Sequence, residues 1–294
     1  MFCLVNKELF KTFGLALPIT LVVPLCTYIF LELASKFTFL HDFYADSPAL
    51  YSSIACILSL GVVSAIYYAY KAVGLVDIEF RPKINYDSDE VAFGLQLYFA
   101  LELVFLLVTM AVGLPTLGLG DSVNTRDSVS SWSVLDRVFY LIDLCILTPI
   151  FEELMVRKYL YQIFRKFGVE TAILCTALLF SCLHQDWVKF FCIFPSGIGL
   201  GIIREKFGLK YSMLAHGVGN LVPSLLGCFS EIGLYVLVAW GFIIVIMTSE
   251  FISKYLRYSD RLKRAFHNVK WNLAMLINPF TLIFVPTSIC LGVL

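Results

Sequence analysis

Three short clusters of polar side chains interrupt stretches of the sequence that otherwise have the composition of membrane spans. The clusters are Glu152-Glu153 with Arg157, then His184, then His216 with Asn220. An ionisable side chain in the bilayer centre costs at least about 2.5 kcal/mol on insertion scales, so such residues usually face a partner or a wet cavity. The placement predicts an active site inside the membrane.

The spacing within the clusters suits helices. Residues four apart lie on one helix face, and three pairs have this spacing: Glu153 and Arg157, Phe180 and His184, and His216 and Asn220. A carboxylate four residues before a guanidinium is the favourable order for a helical ion pair. We therefore expect Glu153 and Arg157 to form a structural clamp. Glu152, about 100° further around the helix, is left to face a cavity.

Each cluster also has a purely structural interpretation. A buried Glu–Arg pair can simply tie helices together. His184, beside Gln185-Asp186, can be a hydrogen-bonded core histidine. Asn220 can join two helices through a hydrogen bond worth about 0.6–2 kcal/mol. Because all three clusters occur in neighbouring segments, a shared site is favoured.

The composition indicates a membrane protein. Hydrophobic residues make up 59% and charged residues 15% of the 294 residues, against about 45–50% and about 25% in soluble domains. The zero formal net charge argues against nucleic-acid binding, which needs a basic face. The nine cysteines form no CxxC pair and most lie in apolar runs, so neither a disulfide framework nor a zinc–thiolate site is expected.

Apolar runs of about 20 residues predict an all-α, multi-pass transmembrane helix bundle with about eight spans. The candidate spans are 12–33, 50–70, 91–115, 134–156, 168–185, 188–203, 209–228 and 232–249. The chain is expected to form a single integral-membrane domain over 1–294, with a motif core at 134–228. A basic juxtamembrane segment follows at 254–270. The apolar tail 271–294 is a ninth span, a half-inserted hairpin or a helix lying on the bundle.

Charge placement predicts the orientation. With a cytoplasmic N-terminus, 18 of the 22 lysines and arginines fall in inside segments and 4 in outside segments, which is the positive-inside pattern. We therefore expect the site to open towards the cytoplasm, with positions 155 and 156 accessible from that side. The span boundaries raise one difficulty. Glu152 lies near the inner end of its span and His184 near the outer end of the next, about 24 Å apart along a straight helix.

The three clusters resemble the motifs of one protease family. The strings FEELMVR at 151–157, FSCLH at 180–184 and HGVGN at 216–220 look like the EExxxR, FxxxH and HxxxN/D motifs of the CAAX protease and bacteriocin-processing (CPBP) family. This family contains the Ras-converting CAAX endopeptidases and bacterial relatives linked to peptide processing and bacteriocin immunity. The resemblance covers the motif core, with all motifs complete and in order.

The resemblance implies an intramembrane endopeptidase. Peptide hydrolysis needs a base that deprotonates water and donors that stabilise the oxyanion. By family similarity Glu152 is the base, and His184 helps to hold the water. His216 and Asn220 supply donors to the oxyanion, while Glu153 and Arg157 orient the helix that bears Glu152. This mechanism needs no cofactor.

A zinc-dependent version would use the same residues. Its ligand set would be Glu152, His184, His216 and Asn220, with one position open for water. Because the sequence has no HExxH pair, the metal-free mechanism is preferred.

Two further functions fit the buried charges. One is a catalytically inactive family member that acts as a membrane scaffold or immunity factor. The other is a transporter, which is disfavoured because no internal repeat is evident. Gly197, Gly199 and Gly201 predict close helix packing instead. The expected partners are the lipid bilayer and a membrane-associated protein or peptide substrate. The expected location is a bacterial cell membrane, with a eukaryotic endomembrane as the alternative.

Overall fold

A computed structural model describes residues 2–76, 92, 95–100, 103, 132–184, 187–229 and 233–265, and within these ranges the chain is helical with no strand. The all-α prediction is confirmed for this part of the chain. The helices are α1 Phe2–Lys36, α2 Thr38–Asp46, α3 Pro48–Ala72, α4 Val134–Ile142, α5 Thr148–Glu153, α6 Tyr161–Arg165, α7 Val169–Cys182, α8 Trp187–Phe207, α9 Leu209–Cys228 and α10 Gly233–Ala265.

In the part of the chain that the structure describes, two helices are long and apolar enough to cross a membrane, judged by length and composition: Glu8–Phe30 within α1 and Ser53–Ala72 within α3. Shorter apolar helices cover Val169–Cys182 and Val238–Ser253. The count of eight spans and the cytoplasmic N-terminus remain predictions. Most of the predicted span 91–115, the end of the basic segment 254–270 and the whole tail 271–294 lie outside the described residues.

A single helical run carries the first motif. Ser133 caps its start by accepting a hydrogen bond from the Asp136 amide at 3.2 Å. Two π turns, Asp143–Leu147 and Leu154–Leu160, join α4, α5 and α6 with helical backbone at every junction. The run therefore continues to Arg165, beyond the expected end of the span at 156.

The helical run passes the predicted span end at 156 without exposing Arg157. Its side chain is fully buried beside Glu153. Met155 and Val156 are also fully buried, so the expected accessibility of positions 155 and 156 was wrong. Glu152 lies in the middle of a helical run that extends to Arg165. Arg204 is likewise buried, so Arg157 and Arg204, both among the 18 charges assigned to the inside, are enclosed by protein.

Small residues and glycine turns set the packing around this run. An added Cβ at Gly197 would lie 3.1 Å from the Ala177 Cβ, and one at Gly201 would lie 3.0 Å from Ile173. The predicted close packing at these glycines is thus confirmed, between α8 and α7. Gly168 and Gly208 adopt φ values of 106° and 95°, which only glycine reaches without strain. Each of them lets one helix end and the next begin at once.

The core that supports the motif run comes from α1 and α3. Leu9 and Phe13 of α1, with Val63 and Tyr67 of α3, are buried in one cluster with the second π turn and α6. The Phe13 and Phe164 rings meet edge to face at 4.8 Å between centroids. The same cluster includes Ile173, Leu179 and Phe180 of α7, so α1, α3 and α7 together hold the motif run in place.

Candidate active site

His216 lies between the two adjacent glutamates of the first motif. Its Nε2 is 3.4 Å from Glu152 Oε2, and its Nδ1 is 3.2 Å from Glu153 Oε1. The Glu153 side chain is fully buried, whereas 20% of the Glu152 side chain is exposed. The structure therefore joins the first and third motifs, and Glu152 is the more accessible carboxylate.

This arrangement constrains the protons on His216. A neutral imidazole has one N–H and one acceptor nitrogen, yet both ring nitrogens of His216 face carboxylate oxygens. When both glutamates are ionised, the ring needs a proton on each nitrogen to satisfy both contacts. Glu153 thus fixes the ring orientation from the buried side. The Nε2 side of the ring then faces Glu152.

Arg157 completes the buried side of the cluster. Its Nε is 3.5 Å from Glu153 Oε2, and its Nη2 donates to the Gly197 carbonyl at 3.1 Å. Glu153 is therefore shared by a guanidinium and an imidazole, as a structural clamp would require. Glu153 Oε2 and Arg157 Nε and Nη1 have no hydrogen-bond partner in the described part of the chain. Breaking such a buried pair would strand a charge.

Phe180 links the second motif to the other two. Its ring lies 4.5 Å from the Arg157 guanidinium carbon, and its centroid is 5.6 Å from that of His216. His184 lies in the turn after α7, with its ring 5.2 Å from Phe180 and nearly perpendicular to it. The His184 Nδ1 is 3.1 Å from the Phe180 carbonyl oxygen. These two contacts tie His184 to Phe180.

Asn220 contacts backbone rather than the glutamates. Its Nδ2 donates to the Leu144 carbonyl oxygen in the first π turn at 2.9 Å. This bond fastens α9 to the motif run one helical turn after His216. Because an amide group carries two N–H donors, this bond is compatible with the predicted oxyanion role of Asn220.

Sequence reasoning missed several residues that shape the site. Gly217 faces the first π turn, where an added Cβ would collide with the Cys145 carbonyl oxygen. An added Cβ at Gly219 would meet the Tyr98 hydroxyl. Asp143 is a buried carboxylate that accepts a hydrogen bond from Ser53 at 3.0 Å. The two glycines beside His216 were the available signal, since glycine in a helix often marks a close approach.

The zinc alternative requires Glu152, His184 and His216 to converge on one ion. Across the described ranges, no three His, Cys, Asp or Glu side chains are grouped so that they could hold a metal. The structure thus offers no preformed zinc ligand set there, and the dependence on metal is a matter for experiment.

Residues 134–222 match a family described as Type II CAAX prenyl endopeptidase Rce1-like. This core belongs to the CAAX protease family. The resemblance drawn from the three motifs is thereby confirmed. The CAAX protease core includes both π turns and all three motifs. The family is one of membrane-embedded proteases. No curated protein and no solved structure shows significant similarity to the chain.

Proposed function

We propose that this protein is an intramembrane endopeptidase that hydrolyses a peptide bond in a membrane-associated protein or peptide. The observation that carries the proposal is the Glu152–His216–Glu153 cluster, with separations of 3.4 and 3.2 Å inside a helical bundle. A partly exposed carboxylate beside an oriented imidazole provides both a base and a hydrogen-bond donor.

The reaction begins at Glu152. Its carboxylate removes a proton from a water molecule while that water attacks the peptide carbonyl carbon. By family similarity His184 helps to hold the water. The carbonyl oxygen becomes an oxyanion, which receives hydrogen bonds from His216 Nε2–H and the second N–H of Asn220. Glu152 then returns the proton to the leaving nitrogen as the C–N bond breaks.

The buried partners act by preorganisation. Glu153 holds the His216 ring through the contact at Nδ1, and Arg157 keeps Glu153 from being an isolated buried carboxylate. Donors that are already oriented need little reorganisation when the oxyanion forms. The family description further suggests a substrate with a prenylated C-terminal CAAX-type sequence, which would place the scissile bond near the membrane surface.

The test uses purified full-length protein in liposomes with a farnesylated CAAX-type peptide. Glu152→Gln keeps the size of the side chain and removes the base. Glu32→Gln is the matched control, because Glu32 forms an exposed pair with Lys36 at 2.9 Å. We expect cleavage by the wild type and Glu32→Gln, and a loss of at least about 100-fold in Glu152→Gln.

Two results would contradict the proposal. Full cleavage by Glu152→Gln would remove Glu152 from the chemistry. A wild type that cleaves neither farnesylated nor unmodified peptides would favour the non-catalytic scaffold. A chelator distinguishes the two mechanisms. If 1,10-phenanthroline inhibits cleavage and added zinc restores the activity, the metal-dependent version would be established.

A further inference from the structure

A second buried polar cluster lies beside the active site and has no part in the mechanism above. The Arg204 guanidinium of α8 is 4.0 Å from the Tyr161 ring, and its Nη1 is 3.4 Å from Glu205 Oε2. The Tyr161 hydroxyl donates a hydrogen bond to the Glu205 carboxylate at 2.6 Å, and Arg165 donates another to the same carboxylate at 3.2 Å. Arg204 is 4% exposed, so its charge is held inside protein.

Arg204 also bonds to the backbone of the motif run. In an α-helix the Tyr161 N–H would donate to the Arg157 carbonyl, four residues earlier. In the second π turn this N–H donates instead to the Val156 and Lys158 carbonyls. The Arg157 carbonyl oxygen accepts a hydrogen bond from Arg204 Nε at 2.9 Å. The Arg204 side chain of α8 therefore takes the place of the Tyr161 N–H as donor to this carbonyl.

The first π turn has the same arrangement. The Thr148 N–H donates to the Asp143 carbonyl and bypasses Leu144. The Leu144 carbonyl oxygen accepts from Asn220 Nδ2 at 2.9 Å. Both π turns that flank Glu152 and Glu153 are thus held by a side chain from another helix. Asn220 belongs to the third motif, whereas Arg204 belongs to no motif.

We propose that Arg204 is a positioning residue of the active site, which holds the second π turn so that Arg157 presents Glu153 to His216. The inference rests on the proposed function. The path runs from Arg204 to the Arg157 backbone, and from the Arg157 side chain to Glu153 at 3.5 Å. Glu153 then contacts His216 at 3.2 Å. A change in the π turn would move the Glu153–Arg157 pair, so Arg204 would affect the reaction without contacting the substrate.

The kinetic test compares three variants in the peptide-cleavage assay. Arg204→Met removes the donor at similar volume, and Arg204→Lys keeps a cationic donor. Arg165→Met is the control, because it removes another partner of Glu205 and leaves the Arg157 carbonyl bond in place. A displacement of about 1 Å can cost about 100-fold in rate. We expect Arg204→Met to lower kcat about 10- to 100-fold at nearly constant KM, with partial rescue in Arg204→Lys and little change in Arg165→Met.

A double-mutant cycle checks the route of the effect. If Arg204 acts through Glu153, Arg204→Met should lower kcat less in a Glu153→Gln background than in the wild type. If the two substitutions instead lower kcat by independent factors that multiply in the double mutant, the proposal would be overturned. So would an unchanged kcat in Arg204→Met, or an equal loss in Arg165→Met. Should Arg204→Met fail to fold, Arg204→Lys carries the same comparison.

Hydrogen exchange gives a readout that needs no activity. Amides of the second π turn and α6 should exchange about tenfold faster in Arg204→Met than in the wild type or Arg165→Met, because a released turn opens more often. Unchanged exchange there would overturn the proposal even if the wild type cleaves no peptide. Absence of wild-type cleavage alone would instead refute the proposed function. Faster exchange with full kcat would show a purely structural bond and overturn the positioning role.

Discussion

Gly217 offers the sharpest test of how the site is assembled. It follows His216 on α9 and faces the first π turn, where an added Cβ would collide with the Cys145 carbonyl oxygen. Gly217→Ala therefore forces two backbones apart. Gly241→Ala is the matched control, because a Cβ at Gly241 on α10 would have nothing within 4 Å. Gly219→Ala is intermediate, since its Cβ would meet the Tyr98 hydroxyl, a side-chain end.

The expected magnitudes follow from these contacts. In an open helix alanine is favoured over glycine by about 0.8–1.0 kcal/mol, so Gly241→Ala should be neutral or slightly stabilising. At Gly217 that gain is offset by overpacking, which costs about 1–3 kcal/mol, for a net loss of about 0–2 kcal/mol. Restoring van der Waals separation needs a shift of about 1 Å. Such a shift pulls His216 from Glu152 and can lower kcat about 100-fold.

The assay measures peptide cleavage and thermal unfolding for all three glycine variants in detergent. We expect the order of kcat to be Gly241→Ala, then Gly219→Ala, then Gly217→Ala, with only small differences in unfolding temperature. Wild-type kcat in Gly217→Ala would refute the reasoning, because α9 would then not need its close approach. An equal loss of kcat in Gly241→Ala would refute it too, because the loss would then follow from replacing any helical glycine and not from the close contact at Gly217.

Three further outcomes are expected. Glu153→Ala should destabilise the protein by about 3–5 kcal/mol by stranding Arg157, seen as a lower unfolding temperature; normal stability with abolished turnover would assign Glu153 to the chemical step. Phe180→Leu should lower the free energy of unfolding by about 1–2 kcal/mol, because it removes the cation–π contact with Arg157. Calorimetry measures this difference, and an unchanged free energy of unfolding would contradict the prediction. Lys166→Cys, at an exposed turn, should react with an impermeant thiol reagent in inverted vesicles, and Asp42→Cys in intact cells; the reverse pattern would invert the predicted topology.

The sequence by itself identified the family that the motif core resembles, and it nominated the residues for the proposed chemistry. Three motifs, complete and in order within apolar runs, identified the CAAX protease core. The Glu153–Arg157 pair was predictable because both residues belong to one helix, where spacing along the chain determines proximity. The close packing at Gly197 and Gly201 was predictable for a similar reason, since a residue without a side chain permits helix contact wherever it lies.

Only the tertiary structure decided how the motifs meet. His216 and Glu153 are 63 residues apart in sequence, and nothing in a single sequence shows that one imidazole contacts both glutamates. The π turns were equally hidden, and the carbonyls that they bypass accept hydrogen bonds from donors on other helices. Asn220 and Arg204 supply those donors across 76 and 47 residues. Periodicity reports the face that a residue occupies, whereas the packing of helices determines which faces meet and which backbone carbonyls need a partner.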